Sequence, residues 1–134
     1  SVPFASSVSI ARQHRSNAGL ALQAPRALST FLIAHQGATP YEVASSTVFR
    51  SSALIVRDGR PVLMLTSYRG RPLLSAPRLA RLVSSGQVRY ILMGPGDCTT
   101  SGCAPVVRWA HAHARDVSRA TGVGPRGTLF ELHA

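Results

Sequence analysis

The nine residues from Gly86 to Gly94 constrain the fold more than any other part of the sequence. Before them, residues 76–85 carry leucine and valine on one helical face and arginine on the other, which predicts an amphipathic helix. Gly86 tolerates the left-handed backbone conformation that ends helices. The mostly apolar run 88–93 then predicts a strand covered on both faces, as in parallel sheets. A helix followed by such a strand is typical of an α/β protein.

The same alternation of helix and strand extends over most of the chain. Connections between parallel strands are right-handed and place helices on the sheet faces. We therefore predict a three-layer α/β sandwich with a mostly parallel sheet, helices on both faces and, as one alternative, an antiparallel last strand at an edge. The predicted helices are 25–36, 47–57, 76–85 and one beginning at Pro105, and the predicted strands are 41–44, 62–65, 88–93, 117–119 and 128–132.

Chain length and pattern predict one domain. A chain of 134 residues is long enough for a single core and short for two. Residues 1–24 have no sustained hydrophobic period and are predicted to be a linker, which leaves 25–134 as the domain. No part of the sequence has the run of about 20 apolar residues that a membrane helix needs.

The charge of the chain is strongly positive. All 15 basic residues are arginine, against 5 acidic residues, which gives a formal net charge of +10. Such a surface attracts phosphates and anionic lipid headgroups. Nucleic acid is disfavoured as a partner, because the arginines are dispersed and the aromatic residues do not interleave with them as stacking platforms.

Cys98 and Cys103 are the only cysteines in the sequence. Two thiolates alone do not make a zinc site, and their spacing differs from that of the redox motif Cys-x-x-Cys. The small residues between them let the chain fold back far enough for a bridge. We predict a local disulfide, which persists in an oxidising compartment, and two free thiols are the alternative.

The candidate binding site follows from the predicted sheet. Ligands of open parallel sheets bind beyond the carboxyl ends of the strands. Three loops leave such ends here, and the second combines a phenol with two guanidiniums, which suits a sugar ring and a phosphate. An ordinary solvated loop is the alternative for that segment. The predicted ligand-binding residues are Ser45, Ser46, Thr47, Tyr68, Arg69, Arg71, Gly94, Gly96 and Asp97.

No catalytic or metal-binding residue is predicted. The five acidic residues are dispersed, and the serines lack a Gly-x-Ser-x-Gly motif. His111 and His113 would lie on opposite sides of a helix, so they could not share one metal ion. The sequence therefore predicts no cofactor in this domain.

Two motifs of the chain are specific, namely Gly-x-Pro-Val at 59–62 and Gly-x-Val-Arg-Tyr at 86–90. Together with the segments 38–44, 53–56, 59–63 and 79–83, they resemble the soluble C-terminal domain of bacterial polytopic membrane glycosyltransferases. Those proteins are similar to protein mannosyltransferases and the lipid A aminoarabinose transferase. The likeness covers roughly residues 27–133. This chain departs from the glycine-rich form of the second and third loops that is common in that family.

The resemblance implies an accessory domain on the extracytoplasmic face of the cell membrane, tethered through its N-terminal linker to a membrane segment. Its partners would be the membrane-embedded transferase portion of the same polypeptide, which would hold the catalytic acid, and an anionic lipid or glycan. The implied reaction moves a sugar from a polyprenyl-phosphate donor to a cell-envelope acceptor. The alternatives are a stand-alone sugar- or phosphate-binding domain and a small α/β enzyme whose site has no recognised motif.

Overall fold

A computed structural model of the chain describes residues 26–67, 71–94 and 103–134, with the backbone alone at 48–50. No helix among these residues is both long and apolar enough to cross a membrane. The described helices are α1 (26–36), α2 (Val48–Asp58), α3 (Ala76–Ser84), α4 (Pro105–Ala112) and α5 (Ser118–Thr121). The described strands are β1 (Val43–Ser45), β2 (Val62–Met64), β3 (Tyr90–Leu92), β4 (Ala114–Asp116) and β5 (Phe130–Leu132).

The strands of the described chain form one five-stranded sheet in the order β2-β1-β3-β5-β4. β1 pairs in parallel with β2 and β3, and β5 pairs antiparallel with β3 and β4. β4 therefore runs in the same direction as β1, β2 and β3, so that four of the five described strands share one direction. The predicted α/β class with a mostly parallel sheet is confirmed.

The connections change direction between β1 and β3. From β1 the chain passes through α2 to β2 on one side, and from β2 it passes through α3 to β3 on the other side of β1. In open α/β sheets such a switch opens a crevice at the carboxyl ends of the two strands, because their connections leave toward different sides. This topology places the predicted site at the switch between β1 and β3.

Two hydrophobic clusters form the core. Successive strand residues point to opposite faces, and neighbouring residues of β1 and β3 indeed belong to different clusters. This division favours helices on both faces, while the full three-layer arrangement stays a prediction. One cluster includes Leu28, Leu32, Val43, Leu54, Tyr90 and Leu92, and the other includes Ala44, Leu79, Ile91, Met93, Val106 and Ala110.

A serine cap and two glycines mark the ends of α2 and α3. Ser75 accepts a hydrogen bond through Oγ from the backbone N–H of Arg78 at 3.2 Å and so caps α3. Gly86, with φ +75°, follows the end of α3, and Gly59, with φ +62°, follows α2. Both glycines adopt the left-handed conformation that other residues occupy at a cost.

The segment after α4 differs from the prediction. A strand was expected at 117–119, whereas β4 lies at Ala114–Asp116 and α5 begins at Ser118. The reason is pairing, since Ala114, Arg115 and Asp116 align with Leu132, Glu131 and Phe130 of β5. The last strand is antiparallel but interior, and β4 occupies the edge. Arg115 consequently lies in β4 and Arg119 in α5, and neither belongs to α4.

Candidate functional site at the carboxyl edge of the sheet

Three parallel strands end at the same edge of the sheet. Ser45 of β1 is aligned with Met64 of β2 on one side and with Leu92 of β3 on the other. The backbone N–H of Leu65 then donates to the Ser45 carbonyl at 2.9 Å. The three predicted loops therefore leave from neighbouring positions on one edge.

Serine side chains fix the turn between β1 and α2. Ser45 is fully buried, and its Oγ donates to the Thr47 carbonyl at 2.7 Å and accepts from the Thr47 N–H at 3.0 Å. The Ser46 N–H donates to the Leu92 carbonyl at 3.0 Å, which ties this turn to the end of β3. The turn is thus anchored on both sides of the topological switch.

The start of α2 has no side-chain cap. Thr47 occupies the N-cap position with an extended backbone, but its side chain makes no capping hydrogen bond to the helix. Its carbonyl instead accepts a hydrogen bond from Oγ of Ser51 at 2.8 Å. The hydroxyl of Ser45 is committed to the turn backbone, so it does not cap the helix either.

The loop after β2 is closed by short-range hydrogen bonds. The Ser67 N–H donates to the Arg71 carbonyl at 2.8 Å, and the Arg71 N–H donates to Oγ of Ser67 at 3.1 Å. Arg71 is exposed, and it stands where the chain returns from this loop toward α3. A guanidinium is therefore available beside the carboxyl end of β2.

The loop after β3 is described only at its start, where Gly94 is half-buried two residues beyond the strand. The other predicted residues of the second and third loops, Tyr68, Arg69, Gly96, Asp97 and Cys98, lie outside the described residues. The Cys98–Cys103 bridge and ligand binding in the crevice therefore stay predictions, as does the linker at 1–24.

Sequence reasoning missed a pair of carboxyl groups at the opposite, amino-terminal edge of the sheet. Glu42, just before β1, is only 3% exposed, and neither of its carboxyl oxygens has a hydrogen-bond donor among the described residues. The same holds for Oδ2 of Asp58 at the end of α2, while Oδ1 of Asp58 accepts from Oγ of Ser29 at 2.5 Å. A buried Glu42 oxygen and Oδ2 of Asp58, neither with a donor of its own, can satisfy each other by sharing one proton.

Burial is the main cause that raises the pKa of Glu42 to about 8, followed by its hydrogen bond to Asp58 and the charge of Asp58, while Arg60 opposes the rise. Two carboxylates cannot hydrogen-bond to each other, so the bond between Glu42 and Asp58 requires that one of them carries a proton. That proton supplies the donor that no other described residue provides. Arg60 is held nearby by a hydrogen bond from Nη1 to Oε1 of Gln36 at 2.7 Å. No sequence signal would have revealed this pair, since its members are 16 positions apart.

The described ranges contain no group of three or more His, Cys, Asp or Glu side chains placed to hold a metal ion. His113, which follows α4, has local contacts: its Nδ1 lies 2.8 Å from the Trp109 carbonyl, and its ring stacks on Trp109 with centroids 4.1 Å apart. His111 is exposed.

Comparison with known proteins gave one family. The family described as "Putative mannosyltransferase YkcB-like, C-terminal" matches residues 28–113, which extend from α1 through α4. Neither the curated proteins nor the solved structures gave a match. The matched region contains β1, β2 and β3, and hence the crevice at the topological switch.

Proposed function

Because this chain belongs to the YkcB-like C-terminal family of mannosyltransferase domains, we propose that it is an accessory domain of a membrane glycosyltransferase. In this proposal the domain lies on the extracytoplasmic face of the membrane. Its polypeptide transfers a sugar from a polyprenyl-phosphate donor to a cell-envelope acceptor. The domain binds a phosphate-bearing or glycan part of these molecules and leaves the chemical step to the membrane-embedded portion.

The observation that carries the binding role is the topological switch between β1 and β3, where open α/β sheets have a crevice. The Ser46 N–H bond to Leu92 holds the two strand ends together, and the start of α2 lies at the same place. A helix start offers unpaired backbone N–H groups and the positive end of the helix dipole, both of which favour an anion. Arg71, on the loop after the neighbouring strand, adds a guanidinium at the same edge.

The chemistry of the crevice suits recognition. Arginine binds a phosphate through two parallel hydrogen bonds. The carboxyl pair of Glu42 and Asp58 lies at the other edge of the sheet and is buried, so it is not placed to act on a ligand in this crevice. The proposed contribution is therefore positioning of the donor or the acceptor.

Two measurements test the proposal. The chain alone, incubated with polyprenyl-phosphate sugars and a panel of acceptors, should transfer no sugar above a buffer blank, and turnover would contradict the accessory role. In a binding assay with phosphorylated glycans, Arg69→Ala with Arg71→Ala should weaken binding more than Arg78→Ala with Arg81→Ala. The second pair removes the same charge from exposed positions of α3. Equal losses from the two pairs would show that net charge alone attracts the ligand.

A further inference from the structure

Three arginines from separate elements line one cleft. This cleft has a volume of about 560 Å³ and is bordered by Arg115, Asp116, Arg119, Ala120 and Arg126. Arg115 belongs to β4, Arg119 to α5, and Arg126 to the loop before β5. The volume lies within the ~300–1,000 Å³ typical of ligand sites. The residues that form the cleft follow residue 113, where the family match ends.

A hydrogen-bond network between exposed Asp116 and buried Ser118 holds these elements in place. Oδ1 of Asp116 accepts from the N–H of Ser118 at 2.9 Å and from its Oγ at 2.6 Å, and Oδ2 accepts from the Gly127 N–H at 2.7 Å. Oγ of Ser118, which is fully buried, also accepts from the N–H groups of Thr128 at 3.0 Å and Leu129 at 2.9 Å. β4, α5 and the loop are thus joined through one side-chain pair. A site fixed in this way loses little entropy when a ligand binds.

The carboxylate inside the cleft does not cancel its positive charge. Hydrogen bonds from the Ser118 side chain and backbone are the main causes that lower the pKa of Asp116, and Gly127 and Arg126 contribute in the same direction. Both oxygens of Asp116 are thereby occupied by donors from the turn. Arg115 is paired with Glu131, but Arg119 and Arg126 still outweigh this one carboxylate, so the cleft keeps a net positive charge.

Two of the three guanidiniums are available to a ligand. Arg115 is 3.4 Å from the Glu131 carboxylate in an exposed ion pair. Arg119 and Arg126 are exposed, and their guanidiniums make no hydrogen bond or ion pair with another described residue. A guanidinium carries five N–H donors in a planar fork, so two such groups can surround a tetrahedral oxyanion.

We propose that this cleft is a binding site for a phosphate group, held between Arg119 and Arg126 with Arg115 at its border. The site goes beyond the crevice proposed above, and its test needs no sugar transfer. β4 runs parallel to β1 and β3, so its carboxyl end, Asp116, lies at the same edge of the sheet as the crevice. Two strand spacings, about 10 Å, separate the end of β3 from the end of β4.

The phosphate could belong to a soluble ligand or to a lipid headgroup, and the experiment distinguishes the two. Binding of pyrophosphate and of phosphatidylglycerol vesicles to the whole chain is measured for the native protein and for Arg119→Ala with Arg126→Ala. The control variant carries Arg78→Ala with Arg81→Ala, which removes equal charge from exposed positions of α3. The side chains exchanged in both variants are exposed, so both variants should fold, which the unfolding temperature verifies.

We expect the cleft variant to lose at least tenfold in affinity for pyrophosphate, while the control stays within twofold of the native protein. Loss confined to vesicle binding would also support the site and would identify a lipid headgroup as the source of the phosphate. Amide shifts on addition of pyrophosphate should include Ala120 and Gly127. Equal losses in the two variants, or no binding of either probe by the native protein, would overturn the proposal.

Discussion

Replacing Glu42 by glutamine should stabilise the protein at alkaline pH, although the side chain that is replaced is buried. Native Glu42 keeps its proton up to about pH 8, whereas the usual pKa of the residue is 4.5. The stabilising contribution of the protonated carboxyl is therefore complete below pH 4.5. It is lost as the pH rises toward 8, because only the unfolded state releases the proton in this window.

The size of the effect follows from the two pKa values. At about 1.4 kcal/mol for each pKa unit, the free energy of unfolding should fall by ~5 kcal/mol between pH 4.5 and 8. Solvent does not screen the effect much, since Glu42 is 3% exposed. A glutamine amide is neutral at every pH and can donate a hydrogen bond to Asp58 as the protonated carboxyl does. Glu42→Gln should therefore match the native protein within ~1 kcal/mol at pH 5 and exceed its stability by ~3–5 kcal/mol at pH 8.5.

Urea unfolding at a series of pH values measures this difference. Subtracting the native curve from that of the variant cancels the titration of every group the two proteins share. Glu131→Gln is the matched control, because Glu131 takes part in an exposed ion pair worth about 0–1 kcal/mol. A native stability that does not change between pH 5 and 8, or a loss of stability in Glu42→Gln at all pH values, would refute the shared proton.

Three further predictions concern the core and the loops. Ser118→Ala should lower the free energy of unfolding by ~1–3 kcal/mol, because it removes the Oγ acceptor of the buried Leu129 N–H, whereas the Thr128 N–H keeps the Pro125 carbonyl at 3.2 Å; a change below ~0.5 kcal/mol in urea unfolding would contradict this. Leu54→Ala, at a fully buried position, should cost ~2–5 kcal/mol, whereas Val56→Ala on the same helix, where the side chain is 87% exposed, should change stability little. Thiol titration of the unfolded, unreduced chain should find neither Cys98 nor Cys103 free, and two titratable thiols would exclude the bridge.

The parallel strands β1, β2 and β3 could be predicted from the sequence, because the residue patterns that indicate them are local. β2 and β3 are apolar runs bounded by glycine or proline, and α3 has both a serine cap and a glycine stop. Each of these features depends on residues within a few positions of one another. Local patterns were therefore enough to give the α/β class and the edge at which the loops gather.

The position of β4 could not be predicted from local patterns in this way. The residues of β4 are half-buried or exposed, so they lack the apolar alternation that marks a strand, and their place depends on β5, 16 positions away. One local signal was available: Asp116 two residues before Ser118 is typical of a turn in which the carboxylate accepts a backbone N–H. That signal would have started the helix at Ser118 and moved the strand back to its observed position.

The two ends of the sheet should be independent, which gives a test of both the carboxyl pair and the arginine cleft. Along the strand direction, the three residues of β1 separate Glu42 from the β1–α2 turn by about 10 Å. Across the sheet, three strand spacings separate β1 from β4 by about 14 Å. Substitutions this far apart, without shared partners, normally have additive effects. Glu42→Gln should therefore raise stability at pH 8 without changing pyrophosphate affinity by more than twofold.

The affinity for pyrophosphate that is lost in Arg119→Ala with Arg126→Ala should then be the same with and without Glu42→Gln. A larger or smaller loss in the triple variant would mean that the two edges are coupled through the sheet, and it would contradict a phosphate site fixed only by the local network of Asp116 and Ser118.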